Sequence, residues 1–141
     1  PQAPVALLAS MEADVYPRNY PERADLVDGS IGEGSRFHET YGYYAQGVSA
    51  DTAILPRGWE QRLVRISNAA TRQVTGLCLE VNDLALSKYA AGREKDLEFT
   101  AALAAHRLTD AAVLRGRLGS MPIAKAICRL VEARIARDFR H

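Results

Sequence analysis

The spacing of apolar positions changes near residue 80. Before it, apolar residues come in short runs broken by Pro and Gly. After it, they recur every three or four residues, which is the helical period. The first run, residues 5–16, stops at Pro17, and its second half reads as a strand. Pro21 followed by Glu22 marks a helix start. Leu26, Val27 and Ile31 are its apolar positions, with Gly29 and Gly32 at its end. A loop is predicted over residues 32–35, and strands over 43–48 and 52–55, the latter closed by Pro56. Residues 63–67 and 74–80 are the clearest strands, joined as a hairpin with a polar loop. Beyond Glu80, Asn82 or Asp83 caps a helix running to about Gly92, and a second runs to about Arg107. Thr109-Asp110 caps a third, ending near Leu118. Ser120 and Pro122 open the last, in which Ile123, Ile127, Leu130, Val131 and Ile135 form an apolar stripe. Strands early and helices late predict an α+β fold: a mixed β-sheet (residues 1–80) followed by a helical C-terminal half (81–141), within one domain.

Composition fits a globular chain able to bury a core without metal or disulfide staples, with 48% apolar and 25% charged residues. Cys78 and Cys128 sit in apolar contexts and are expected as free, buried thiols. There is no CxxC pattern, which argues against a zinc site. No apolar run reaches membrane-spanning length and no signal peptide is visible, making the cytoplasm the expected compartment. Charge is uneven: residues 1–60 hold nine acids and four bases, leaving net +6 for the remainder of a chain whose total is +1. This split fits an enzyme that holds cations on one side and phosphates on the other; it fits equally an Arg-rich solvated face on the C-terminal helices.

Two groups of residues could carry chemistry. Glu12 and Asp14 are two apart on a predicted strand and so project from one face, where two hard carboxylates can share Mg²⁺. The plainer alternative is a solvent-facing strand edge. The second group is the segment from Asp83 to Asp96. In a continuous helix Lys88, Gly92 and Asp96 share a face, and Lys88 and Arg93 are candidate phosphate donors. The alternative is a break at Gly92, and Glu94 and Lys95 fit a solvated helix laced with ion pairs. Of the remaining polar and aromatic residues, His38 reads as an exposed loop residue and Trp59 as core or a packed lid. Tyr41, Tyr43 and Tyr44 read as strand packing rather than base-stacking platforms, and Arg134, Arg137 and Arg140 as either RNA contacts or charges favoured at a helix C-terminus.

The segment Asp83-Leu-x-x-x-Lys88-x-x-Ala-x-Arg93-x-Lys95-Asp96 resembles a motif of AbiEii-like toxin nucleotidyltransferases, members of the polymerase-beta-like superfamily. The stretch from Ser10 to Pro17 resembles the strand carrying their paired metal carboxylates, with Glu12 in place of the usual Asp. Gly32-Glu-Gly-Ser-x-Phe37 and Leu55-Pro-x-Gly-Trp59-Glu-x-Arg62 resemble an uncharacterised bacterial subgroup. The resemblance implies Mg²⁺-dependent transfer of a nucleotidyl group from an NTP to RNA or protein, within a toxin–antitoxin system. It places metal on Glu12 and Asp14 and triphosphate on Lys88 and Arg93. Asp96 would orient Lys88 or act as a base, and tRNA or a cognate antitoxin protein would be the partner. Asp51 is the nearest guess for a third metal carboxylate. The superfamily's phosphate-gripping Gly-Ser turn would precede Glu12, upstream of Pro1, so the sequence reads as truncated there and as weakly active alone. A degenerate, non-catalytic module that binds a partner protein is the rival reading.

Overall fold

The computed structural model describes residues 5–7 and 10–140. It is α+β, with a helical C-terminal half. The chain forms two compact units, residues 1–53 and 54–141.

In the first unit, strand β1 (Glu12–Val15) pairs in parallel with β2 (Tyr44–Gly47), in the register Glu12↔Tyr44 and Asp14↔Gln46. Parallel strands need a crossover. It consists of a 3₁₀ turn (Pro21–Arg23), helix α1 (Ala24–Ile31) and helix α2 (Arg36–Tyr41). Pro21 starts the turn as expected, while Gly29 lies inside α1 and Gly32 alone caps it. Helix α1 packs on β2. The approach is close: a Cβ on Gly47 would stand 2.6 Å from the Ala24 carbonyl carbon, so no side chain fits there. The Gly47 N–H donates to Asp28 Oδ1 at 2.7 Å, tying strand to helix. Ala45 is the buried apolar residue of this unit among the described residues, leaving it a thin core.

Helix α2 departs from the sequence expectation. The residues around His38 are helical, not a loop, and Tyr41 ends that helix rather than lying in a strand. Ser35 Oγ caps it by accepting from His38 N–H at 3.2 Å, and His38 Nδ1 accepts from Gly34 N–H at 3.0 Å. Residues 52–55 form a bend and an irregular stretch instead of a strand, with Thr52 N–H donating to Ser49 C=O.

In the second unit, a 3₁₀ turn (Trp59–Arg62) leads into the antiparallel hairpin β3 (Val64–Ile66) and β4 (Gly76–Cys78). Parallel and antiparallel pairing thus both occur, divided between two separate strand pairs. Four helices follow: α3 (Val81–Ala91), α4 (Glu94–Ala105), α5 (Ala111–Leu118) and α6 (Lys125–Asp138). Helix α3 is the centre and packs on the other three. Leu86 and Tyr89 of α3, Leu114 of α5, and Val131 and Ile135 of α6 are fully buried. Burying each such aliphatic side chain is worth about 1.5–3 kcal/mol, so the core of this unit lies between these helices.

Three expectations need correcting here. Glu80, not Asn82 or Asp83, caps α3, accepting from Asp83 N–H; Asp83 points inward instead. The α6 stripe is buried at Val131 and Ile135, where Tyr89 Oη bonds Asp138 and Arg134 bonds the Tyr89 carbonyl; Ile127 and Leu130 are exposed. Both cysteines are free, but Cys78 is exposed on a three-residue strand and Cys128 is only partly buried.

Gly92 ends α3 in the left-handed region (φ 67°). A Cβ there would also lie 2.7 Å from Arg134 Cζ, the guanidinium that bonds the Tyr89 carbonyl. Gly92→Ala therefore meets backbone strain and a displaced arginine together. The expected loss is about 2 kcal/mol of unfolding free energy, measured by urea denaturation. A loss below about 0.5 kcal/mol, the size of an ordinary surface change, would show that Arg134 swings away freely.

Candidate functional site

The carboxylate strand comes first. Glu12 and Asp14 lie on the same side of β1, and the register places Tyr44 and Gln46 beside them. The Tyr44 hydroxyl donates to Glu12 Oε2 at 3.5 Å. Tyr44 and Gln46 also line a depression of about 220 Å³ with Asp28 and Glu33. Partial burial, together with the negative charges of Glu12, Glu33 and Asp14, holds the Tyr44 phenol above its ordinary pKa. The surface around Tyr44 is therefore at negative potential and attracts cations. The Asp14 side chain is exposed and enters no ion pair or hydrogen bond among the described residues.

The donor set suits Mg²⁺, which takes one or two protein carboxylates and completes its shell with water and substrate phosphate. Among the described residues, no three His, Cys, Asp or Glu side chains converge as a ready-made metal cage. Asp51 does not join the pair; its carboxylate accepts from Ser49 Oγ in an exposed turn.

The second group lies where α3 meets α4. The helix is not continuous: Gly92 breaks it, and α4 restarts at Glu94. Lys88 and Asp96 meet nonetheless, with Nζ 3.5 Å from Oδ1. Asp96 is buried and also accepts from Arg93 Nε at 2.6 Å and from the Arg93 backbone N–H at 3.3 Å. This carboxylate thus closes the first turn of α4 and holds both cations that the sequence marks as phosphate donors. Lys88 remains about a third exposed and Arg93 more than half, so both can reach a ligand.

Burial pushes the Asp96 carboxyl up, but hydrogen bonds from Arg93 and the charges of Lys88 and Arg93 outweigh it, leaving the pKa below the ordinary value. Glu80 behaves alike: burial raises it, and bonds from Asn82 and Arg117 more than compensate. A depressed folded-state pKa gives stability that is present above the unfolded value, about pH 4 for these carboxyls, and lost as pH falls through the folded value. Urea midpoints are accordingly expected to fall between about pH 5 and pH 2. Asp96→Asn should flatten part of that fall; an unchanged acid profile in this variant would refute the assignment.

Sequence reasoning missed the network beneath these helices. Asp83 is fully buried and accepts from Arg62 Nε (2.8 Å), Arg62 Nη2 (3.1 Å) and Arg117 Nη1 (2.8 Å). Arg117 also pairs with Glu80. Asn82 links Glu80 to the Asp110 N–H that begins α5. The quoted stretch ending in Arg62 was the available signal, but nothing in the sequence ties Arg62 to Asp83. Arg134 and Arg137 are likewise engaged within the fold, by the Tyr89 carbonyl and Asp138.

No helix among the described residues is long and apolar enough to cross a membrane. No curated protein and no solved structure matches the chain. Residues 12–139, beginning at the first carboxylate of β1 and ending one residue past α6, match one family, and the chain belongs to it: "Nucleotidyltransferase of unknown function (DUF6036)".

Proposed function

We propose that the protein transfers a nucleotidyl group from a Mg²⁺-bound NTP to a hydroxyl or phosphate of tRNA or of a protein, breaking the α–β phosphate bond and releasing pyrophosphate, as a member of a toxin–antitoxin pair in the cytoplasm. The observation that carries this reading is the carboxylate pair on β1. Glu12 and Asp14 share one strand face within an acidic surface, and the Asp14 carboxylate pairs with no cation among the described residues. Bound there, Mg²⁺ would supply positive charge that offsets the negative charge developing in transfer. Glu12 and Asp14 are its proposed ligands, and Lys88 and Arg93 the proposed triphosphate contacts. Asp96 fits the orienting role better than that of a base, because it is buried and already engaged by both cations. The test is incubation with NTPs labelled at the α-phosphate, Mg²⁺ and bulk tRNA. Label should enter RNA or protein and should vanish with EDTA; no incorporation from any of the four NTPs would reject the reading.

One observation favours the rival, a non-catalytic module that docks on a partner such as an antitoxin. All six residues of strands β3 and β4 are exposed, with Val64 and Ile66 near half of their full area on one face and Leu77, opposite Arg65, exposed on the other. An isolated two-stranded hairpin is marginal in water unless something covers it. A partner bound equally well by the Asp14→Asn variant would mark that hairpin, rather than the carboxylates, as the working surface.

A further inference from the structure

A depression of about 510 Å³ belongs wholly to the second unit and lies over residues 55–62. Leu55, Arg57, Trp59, Glu60, Gln61 and Ser120 are among the residues that line it. The volume is in the range of small-ligand sites. We propose that it binds a nucleobase, with Trp59 stacking on the base and Arg57 meeting the adjoining phosphate. The kind of ligand rests on the nucleotidyl-transfer reading above; the site itself rests on the following geometry.

The walls are fixed from beneath. Pro56 is fully buried, and its carbonyl accepts from Trp59 N–H at 3.2 Å. Arg57 N–H donates to the Ser120 carbonyl at 3.3 Å, joining the two sides of the depression. Arg62 Nη2 donates to the Arg57 carbonyl at 3.1 Å, and the same guanidinium is locked on buried Asp83. The turn is therefore pre-organised by an ionic network and does not need to order on binding. Trp59 is partly exposed on the wall rather than sunk in the core. Indole faces stack on any base. The Arg57 side chain is exposed and makes no ion pair or hydrogen bond among the described residues, whereas Arg62 and Arg117 are consumed by Asp83 and Glu80. A planar, unengaged guanidinium lining the same depression as an aromatic side chain matches a phosphate next to a base. Gln61 adds a side-chain amide that can donate to and accept from a base edge. The base could belong to the NTP or to a single-stranded RNA acceptor, and the same measurement separates them.

Trp59 is the only tryptophan in the chain, so its emission reports on this site alone. The intact chain is titrated with Mg²⁺–ATP, with a ten-nucleotide oligoadenylate and with inorganic tripolyphosphate. Saturable quenching by ATP or by the oligonucleotide, with no response to tripolyphosphate, is the expected result. Saturation at lower concentration by ATP assigns the donor base, and by the oligonucleotide the acceptor. Arg57→Gln should raise the half-saturating concentration about tenfold. Trp59→Ala should do the same for a fluorescein-labelled oligonucleotide or nucleotide followed by anisotropy, the fold being checked by circular dichroism. Silence of Trp59 towards both nucleic ligands, an equal response to tripolyphosphate, or undiminished binding by Arg57→Gln would overturn the proposal. The two readings fail separately. If Trp59 is silent while transfer still depends on Asp14, the base site is wrong and the reaction stands. If Trp59 responds but no NTP is ever transferred, the site stands and the reaction does not.

Discussion

Asp14→Asn is expected to lower nucleotidyl transfer at least about a thousandfold while leaving thermal stability almost unchanged. The rate effect follows from the chemistry. Phosphoryl and nucleotidyl transfer depend on positioning and on offsetting charge, and removing one anchor of the metal forfeits about 4 kcal/mol or more of transition-state stabilisation. Stability is spared because the Asp14 side chain is exposed and holds no other group among the described residues. Surface changes of that kind stay within about 0.5 kcal/mol. Asp25→Asn, on the exposed first turn of α1, is the control and should leave the rate unaltered. Glu12→Gln should lie between the two in rate, since its carboxylate also receives the Tyr44 hydroxyl. Initial rates with labelled NTP decide the matter. A rate for Asp14→Asn within threefold of the parent would remove Asp14 from the machinery and with it the main support for the proposed reaction.

How far the sequence spoke can be judged element by element. The carboxylate strand was legible because alternation and a closing Pro17 are local signals, and β1 with its i, i+2 acids lies where they put it. The start of the crossover at Pro21 and the cap at Asp110 were legible for the same reason. Helix α2 was not, because its aromatic residues run into β2 and look like alternating strand positions. The helical signal was present all the same: Phe37 and Tyr41 are four apart, and their rings meet at a tilt with 4.8 Å between centroids. Lys88 and Asp96 show a subtler case. The sequence offered their proximity only through a continuous helix, whereas they meet across a break at Gly92. The left-handed residue turns the chain, and Asp96 then reaches back as an N-terminal cap. Burial of charge was the least legible property. Asp83 reads as an ordinary cap acid, because its partners Arg62 and Arg117 are distant in sequence and only packing brings them together.

Removing that buried acid should be the most damaging single change to the second unit. Asp83→Ala is expected to cost about 3 kcal/mol or more, in the range for breaking a buried ion pair. The carboxylate is fully buried and takes three charge-assisted bonds from two guanidiniums. Alanine returns none of them and leaves a cavity beneath α3. The cost is limited on one side: Arg62 and Arg117 are each about a quarter exposed, so water can reach part of what they lose. Arg117 also keeps Glu80, whereas Arg62 loses its only carboxylate among the described residues. Arg62 is also what pins the Arg57 carbonyl, so loosening should spread to the 55–62 turn before the helices separate. Asp83→Asn tests the charge apart from the shape and should cost roughly half as much, since an amide still accepts one or two of the bonds. Urea unfolding followed at once by far-ultraviolet circular dichroism and by Trp59 emission distinguishes the stages. The parent should give one coincident transition for the two signals, and Asp83→Ala a Trp59 transition shifted to lower urea than that of the helices. Coincident transitions in the variant, with a loss under about 1 kcal/mol, would show that the network around Asp83 neither stabilises the helical unit nor fixes the turn above it.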